Sequence, residues 1–407
     1  MHARRWVLIL AAALPGWITG WAQIDPENRQ LIQLGYSVPL EGRGPLAGYA
    51  FYYRNIPGFL RTNLTLRLAV APVYLDSELG FREALGPGTD LAIGLAGGGF
   101  ADSYAEIRRG HYFREESFLG HGGEISAGLY HRFAPEARIP LNLIVRTIAH
   151  YATFQRDSQT RADFVLPPDQ IDFRLRTGLR WGGQEPALYP PEGLELSGWY
   201  ETQVRTESGV YGLGMDRRIE PMAHLFWTRA LLSHTLSDWG NYFSVSMTAG
   251  TSVNTDRLSA FRLGGALPLI SEFPLNIPGY YYQELSARRF ILWNALYELP
   301  LDSAQRFNLE LFGASGLMDY PAGLAQPGHW HSGLGGGLTY RSTAHGFLMT
   351  VGYGYGIDAI RTTGRGANSI GIVCQFDLEA HKHYQGVPSR PLVSPHKSRG
   401  LDWLFRR

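Results

Sequence analysis

Cysteine is nearly absent from this sequence of 407 residues, because Cys374 is the only one. A single cysteine excludes an intrachain disulfide, so an exported fold of this length must be closed by other means. Lysine is also scarce, since it occurs only at Lys382 and Lys397 and the other basic residues are arginines. Either GC-rich codon usage or an interior lined by bidentate arginine–carboxylate pairs explains this bias.

Long apolar runs are missing as well, so no membrane-spanning helix is expected. The 37 basic and 36 acidic residues nearly cancel, which gives no support to nucleic-acid binding. A basic start precedes a short apolar run from Trp6 to Leu14, and Gly20-Trp21-Ala22 supplies small residues for cleavage. This arrangement is typical of a cleaved signal peptide over residues 1–22, so we predict export from the cytoplasm.

Glycine and period-two alternation are abundant. The chain has 49 glycines and 13% aromatic residues. Between Phe347 and Asp358, apolar side chains occupy the odd positions, and glycine, threonine and aspartate occupy most of the even ones. Side chains on a strand alternate between faces, so such segments are strands with two different environments. Many run for ten residues or more, which fits the ~9–11 residues that cross a membrane at a tilt. We predict an all-β fold, a transmembrane antiparallel β-barrel.

The predicted strands number about fourteen, or sixteen if a strand pair was missed, and they occupy residues 46–379. Their expected positions are 46–54, 60–74, 89–104, 118–133, 139–154, 170–182, 193–207, 217–232, 241–254, 286–301, 306–317, 329–341, 346–358 and 367–379. Short even-numbered connections and long odd-numbered ones, such as 255–285, place both termini on the periplasmic side. Residues 23–45 are expected to form an N-terminal periplasmic segment, and residues 380–407 a basic C-terminal tail.

Motifs in residues 258–379 resemble those of the Omp85 superfamily, which includes the BamA/TamA and two-partner-secretion barrels. The matching stretches are Phe261-Arg262-Leu263-Gly264-Gly265, Ile277-Pro278-Gly279-Tyr280, the series Asn294, Glu298 and Pro300, Phe312-Gly313-Ala314-Ser315-Gly316 for the family's F-x-D-x-G, and the glycine-rich hairpin Gly333 to Gly356. The resemblance implies a bacterial outer-membrane protein, either a pore or a barrel for membrane-protein assembly or translocation. It also implies a long loop that folds into the lumen about five strands before the end.

The segment FPLNIPGYYYQEL, residues 273–285, stands where the family places that loop. We predict that five of its residues lie in the lumen: Pro278, Gly279, Tyr280, Tyr281 and Tyr282. Two features depart from the family. Pro278 occupies the position of the family's loop arginine, so any latch of this loop must differ. The interval between signal peptide and first strand also leaves no room for POTRA repeats, so the resemblance supports fold and compartment more than activity.

Seven charged residues are predicted to line the lumen: Arg174, Arg176, Arg180, Glu195, Glu201, Arg205 and Glu298. They fall on the polar face of alternating segments. One hypothesis is an anion-selective strip, as in charged pore linings. The other is a set of structural ion pairs that involve Glu195 and Glu201.

Catalytic and metal-binding groups were sought among serines and histidines. Three pairs are close in sequence or on neighbouring predicted strands: Ser117 with His121, His131 with His150, and Ser233 with His234. His329 and His331 share one face of a strand and could form half of a metal site. Neither set has an evident orienting group or third ligand. We predict no catalytic residue, no metal and no cofactor. The alternative is a barrel enzyme acting on lipid, of the phospholipase or deacylase type.

The expected partner is outer-membrane lipid, with no nucleic acid and a monomeric barrel. Interfacial aromatic belts are predicted from four tryptophans and their tyrosine neighbours, the tryptophans being Trp199, Trp227, Trp239 and Trp293. The C-terminal tail carries both lysines and three prolines after residue 387. It is either disordered or a contact to anionic lipid or a periplasmic partner protein.

Overall fold

The computed structural model describes residues 24–379 except 26, 135–136, 138, 183–192, 237–239, 266–273, 325, 327, 343–345 and 363. The predicted signal peptide and C-terminal tail therefore lie outside the described residues. Within the described part of the chain, no helix has the length and apolar character needed to cross a membrane.

Sixteen long strands form one antiparallel sheet that closes on itself. They are β1 (Arg29–Pro39), β2 (Ala47–Pro57), β3 (Leu64–Ala71), β4 (Tyr74–Phe81), β5 (Thr89–Gly98), β6 (His111–Phe133), β7 (Leu141–Gln155), β8 (Gln170–Gly182), β9 (Leu194–Arg205), β10 (Met222–Thr235), β11 (Tyr242–Val253), β12 (Arg289–Pro300), β13 (Phe307–Asp319), β14 (Trp330–Arg341), β15 (Phe347–Arg361) and β16 (Gly364–Asp377). Each pairs with the next along the chain. The seam between β1 and β16 runs from Leu31 opposite Asp377 to Pro39 opposite Ser369. The predicted all-β barrel is confirmed.

The two faces of the barrel differ as the alternation predicts. On β8, Phe173 and Leu179 are about half exposed on the outer face, while Arg180 on the inner face is only 3% exposed. Other strands repeat this pattern, so a belt of apolar side chains surrounds the barrel. An exposed apolar belt of that extent requires an apolar surrounding.

Two strands occupy positions that the sequence interpretation assigned differently. The interval 23–45, expected to be periplasmic and outside the barrel, contains β1. The single strand expected at 60–74 is a turn followed by β3, which continues into β4 through a connection of only two residues, Pro72 and Val73. These two additions explain why the first count gave fourteen strands and the structure has sixteen.

The outer ends of the strands carry additional folded pieces that form a cap. These are the strand Tyr104–Arg108 beside the extension of β6, the hairpin Gly209–Tyr211 with Arg217–Ile219, and the hairpin Phe261–Leu263 with Leu285–Ala287. The first two pieces share an apolar cluster that includes Phe118, Phe164 and Tyr211. Glu106, fully buried beside it, pairs with Arg257 at 2.6 Å.

Inside the lumen, side chains of the wall also pack on one another. A second apolar cluster joins Tyr130, Ile144, Trp199 and Trp227 with Ile24, which precedes β1. The prediction that Trp199 and Trp227 belong to an interfacial belt is therefore wrong, because their register directs both indoles inward, where they stack at 6.1 Å. Trp293 does lie on the outer face, 39% exposed, and Trp239 lies outside the described residues.

Candidate functional site: the inward-folded loop

The connection between β11 and β12 spans residues 254–288, of which 254–265 and 274–288 are described. It is followed by five strands, β12 to β16, as the family resemblance implied. The connection enters and leaves through the hairpin Phe261–Leu263 with Leu285–Ala287. Between these strands, the described residues from Pro274 onwards pass along the inner wall. Gly265 pairs with Ile277 in an isolated bridge that narrows the loop.

The loop tip is seated on a glycine surface of β14 and β15. A Cβ atom added at Gly354 would lie 3.1 Å from Cβ of Pro278, and one at Gly356 would lie 3.1 Å from the Tyr280 ring. Gly279 itself has a φ of 80°, and its own Cβ would overlap the backbone of Gly356. Glycines on both surfaces let the two backbones approach closely. The glycine-rich hairpin therefore forms a docking surface for the loop.

Apolar side chains anchor the loop beside this surface. Leu263, Ile277 and Leu285 are at most 1% exposed. Their cluster includes inward-facing residues of the wall, namely Phe290 and Leu292 of β12, Ala314 and Met318 of β13, Ala359 of β15 and Ala367 of β16. Full burial of an aliphatic side chain contributes about 1.5–3 kcal/mol. The wall is thus apolar where the loop covers it, which favours a loop that stays inside the lumen.

Two of the loop tyrosines bond to other parts of the barrel, and the third bonds within the loop. The Tyr280 hydroxyl lies 3.0 Å from Nδ1 of His331 on β14. The Tyr281 hydroxyl donates to the carbonyl oxygen of Glu41, in the connection after β1, at 3.1 Å. Tyr282 is half-buried, and its hydroxyl accepts a hydrogen bond from Gln283 at 3.1 Å. The first two tyrosines therefore join the loop to both β14 and the seam region.

A buried ion pair between Glu284 and Arg361 joins the loop to β15. The Arg361 guanidinium reaches the two carboxylate oxygens at 2.8 and 3.0 Å, and it donates to the Gly279 carbonyl at 3.2 Å. It also lies 3.7 Å from the centre of the Tyr281 ring. The side chains of Arg361 and Glu284 are 0% and 2% exposed. We call this pair the latch.

Burial governs the electrostatics of the latch. Desolvation raises the pKa of the Glu284 carboxyl, and this is opposed by Arg361 and by the N–H of Tyr281, which donates to Oε2 at 2.8 Å. Burial likewise raises the pKa of the Tyr281 hydroxyl. Removal of one partner of a buried pair leaves an uncompensated charge, which costs far more than loss of a surface pair. The latch therefore couples the loop to the outer end of β15.

The latch is formed by other residues than the motif positions named in the sequence analysis. Pro278 stands at the position of the loop arginine, and Ala314 stands at the aspartate position of F-x-D-x-G. Here the loop contributes the carboxylate and the wall contributes the arginine. Sequence reasoning anticipated a different latch but missed both residues. The available signal was the combination of a carboxylate just after the tyrosines with an arginine at the end of a glycine-rich strand.

All seven predicted lumen charges face inward, where they contact oppositely charged or aromatic side chains. The contacts are Arg174 with Asp172 at 2.7 Å, Arg176 with Glu201 at 2.7 Å, Glu195 with Arg229 at 3.8 Å, Arg205 with Asp256, and Glu298 with Arg341. The Arg180 guanidinium lies 5.8 Å from the Trp199 ring. Asp256 belongs to the first turn of the loop, so Arg205 holds the loop at its entrance. This arrangement supports structural ion pairs rather than an anion-selective strip.

The serine and histidine candidates are not assembled into catalytic pairs. Ser117 donates to the carbonyl of Phe113 at 2.7 Å, whereas His121 lies beside Gln155. Ser233 and His234 are consecutive on β10 and face opposite sides of the wall. His131 contacts Thr89 at 2.9 Å on the outer face.

His150 faces the lumen, where it contacts Asp102 at 3.1 Å. Both ring nitrogens of His331 are hydrogen-bonded, to Tyr280 and Tyr320. His329 contacts the carbonyl of Met318 at 2.9 Å. Among the described residues, no group of three or more potential ligands is placed to hold a metal ion.

Comparison with solved structures identifies the same architecture in three chains. BamA from Haemophilus ducreyi lacking POTRA domains 1-3 matches with a TM-score of 0.55 and 10% identity, over 86% of this chain and 71% of that chain. CdiB from Acinetobacter baumannii matches with a TM-score of 0.53 and 10% identity, over 86% of this chain and 60% of that chain. CdiB from Escherichia coli matches with a TM-score of 0.55 and 11% identity, over 89% of this chain and 64% of that chain. The chain thus spans less than two thirds of either CdiB chain.

At these identities the likeness concerns the fold. The resemblance to an Omp85-type barrel is confirmed at that level. No protein-family model and no curated protein matches the chain.

Proposed function

We propose that this chain is an Omp85-type barrel of the bacterial outer membrane that acts in the assembly or translocation of other polypeptides. The observation that carries the proposal is the long loop before β12, folded into the lumen and latched to β15 through Glu284 and Arg361. The likeness in fold to BamA and CdiB supports it.

The compartment is supported by the surface of the barrel. The outer face presents apolar side chains, and Trp293 lies 6.4 Å from Trp330 among them. Such an aromatic pair fits the boundary between lipid tails and headgroups. We therefore place the barrel in lipid, with export directed by the expected signal peptide.

An open pore is less well supported than assembly or translocation. The loop packs against the wall in the outer half of the lumen, and the cluster around Trp199 and Trp227 packs in the inner half. Both occupy space that a solute would need. A lipid-directed enzyme has still less support, because the serine–histidine candidates point to different environments.

The test is depletion of the chain in its bacterial source, followed by quantitative proteomics of isolated outer membranes and culture supernatant. We expect at least one class of outer-membrane or secreted polypeptide to fall severalfold, because its assembly or translocation would depend on this chain, and to be restored by the wild-type gene. Unchanged outer membranes and supernatant after depletion would contradict the proposal. Planar-bilayer conductance of the purified chain, increased by deletion of residues 268–282, would instead support a pore.

A further inference from the structure

The residues just before β1 turn back into the periplasmic mouth of the barrel. Ile24 is 5% exposed and belongs to the apolar cluster that contains Trp199 and Trp227 of the opposite wall. A Cβ atom added at Gly80 of β4 would lie 2.6–3.0 Å from three side-chain carbons of Ile24. The wall therefore has a notch at Gly80, and this side chain fills it.

Asn55, at the periplasmic end of β2, holds the main chain of the same segment. Its side chain is 1% exposed, and its amide nitrogen donates to the carbonyl oxygens of Asp25 and Glu27, both at 2.7 Å. A side-chain amide has two N–H donors, so both are used on backbone carbonyls. Because every peptide carries such carbonyls, this contact does not depend on the side chains of the bound segment.

The segment also organises itself around Arg29, the first residue of β1. The Asp25 carboxylate accepts the backbone N–H of Glu27 at 3.0 Å and pairs with Arg29, and Glu27 lies 3.0 Å from the same guanidinium. The two acidic side chains thus add contacts with a cation to the backbone contacts with Asn55. The notch, the amide donors and the cation form three separate elements of recognition.

We propose that this periplasmic mouth is a binding site for an extended peptide with an apolar residue followed by acidic ones, and that Ile24, Asp25 and Glu27 occupy it in cis. Backbone hydrogen bonds combined with a side-chain pocket are a general mode of peptide recognition. The inference rests on the proposed function, because a barrel that handles polypeptides is one that meets peptides at this mouth. A tethered segment has an effective concentration on the order of mM, so a peptide must compete with it.

The test uses purified full-length chain in detergent micelles and a fluorescent peptide with the sequence of residues 23–28, and binding is followed by anisotropy. Deletion of residues 24–28 should tighten peptide binding about tenfold relative to wild type, since the tethered competitor is gone. Asn55→Ala in the deletion background should abolish this increase in peptide affinity. Asn63→Ala, in the exposed turn after β2, should leave the increase unchanged. A peptide with Asp in place of Ile should not bind. A deletion variant that keeps its heat-modifiable mobility but binds no better than wild type would overturn the proposal.

A second measurement avoids the deletion. Ile24→Cys and Gly80→Cys in a Cys374→Ser background should form a disulfide, because the two side chains are in contact. Peptide at about 1 mM, comparable to the tethered segment, should slow its formation severalfold. A rate that is unaffected by peptide would also overturn the proposal. Neither experiment measures assembly or translocation, so this site and the proposed function can fail separately.

Discussion

At the residue scale, the latch is a buried ion pair that joins the loop to the wall. Glu284 and Arg361 are 77 positions apart and almost fully buried. Their geometry is bidentate, which is the arrangement that offsets desolvation best. The scarcity of lysine fits this use of arginine, because an ammonium group cannot bind two carboxylate oxygens and a carbonyl in the same planar way.

Arg361→Ala should destabilise the barrel by about 3–5 kcal/mol, because it leaves the Glu284 carboxylate buried without its cation. The measurement is the midpoint of thermal unfolding in detergent, followed by gel mobility. Arg288→Ala is the matched control, since Arg288 pairs with Asp319 at 2.7 Å but both side chains are at least 40% exposed. The control should cost no more than about 1 kcal/mol. Equal shifts of the unfolding midpoint for the two variants would refute the buried latch. The double variant Glu284→Arg with Arg361→Glu should recover part of the stability that Arg361→Ala loses.

Gly279→Ala should weaken the seating of the loop far more than Gly323→Ala. The two glycines have similar φ angles, 80° and 75°, so backbone strain is alike. Only at Gly279 would the added Cβ meet another strand, because nothing lies within 4 Å of a Cβ at Gly323. Unfolding midpoints of the two variants provide the comparison. If Gly323→Ala lowers the unfolding midpoint as much as Gly279→Ala does, the close approach of Gly279 to Gly356 does not contribute to stability.

At the element scale, strict alternation predicted the strands best. β8, β9, β15 and β16 were located from sequence because apolar and polar side chains alternate along them. β1 was missed because its inner face carries Leu31 beside Gln33 and Gly35, so both faces contain apolar residues. The turn between β3 and β4 was missed because Pro72 and Val73 include neither glycine nor asparagine, the usual signals of a two-residue hairpin.

The seam between β1 and β16 can be tested with the native cysteine. Leu34 is the register partner of Cys374, and directly paired residues of antiparallel strands lie about 4.5–5.5 Å apart at Cα, which suits a disulfide. Leu34→Cys should therefore form an oxidised species with a circularised barrel and altered mobility on denaturing gels. Val38→Cys, whose partner is Ile370, serves as the control and should remain reduced. Oxidation of the control but not of Leu34→Cys would mean that the register is different.

At the scale of the whole molecule, a closed barrel has residues packed inside both the outer and the inner half of its lumen. The loop and the latch occupy the outer half, and Ile24 packs in the inner half. Sequence alone indicated that residues 278–282 lie in the lumen, since prolines, glycine and tyrosines stood at a known position relative to the end. It did not indicate Glu284 with Arg361 or Asn55 with Asp25, because contacts across a lumen follow from closure and not from spacing along the chain.

The central claim, that the loop lies inside the barrel against β15, is tested most directly by a disulfide between loop and wall. Pro278→Cys and Gly354→Cys should crosslink in isolated outer membranes from a Cys374→Ser strain, because the two Cβ positions lie 3.1 Å apart. Pro278→Cys with Tyr353→Cys, on the outer face of the same strand, should not. Absence of the first crosslink, with the cysteine at 278 labelled by an impermeant maleimide on whole cells, would place the loop outside the lumen and contradict the account.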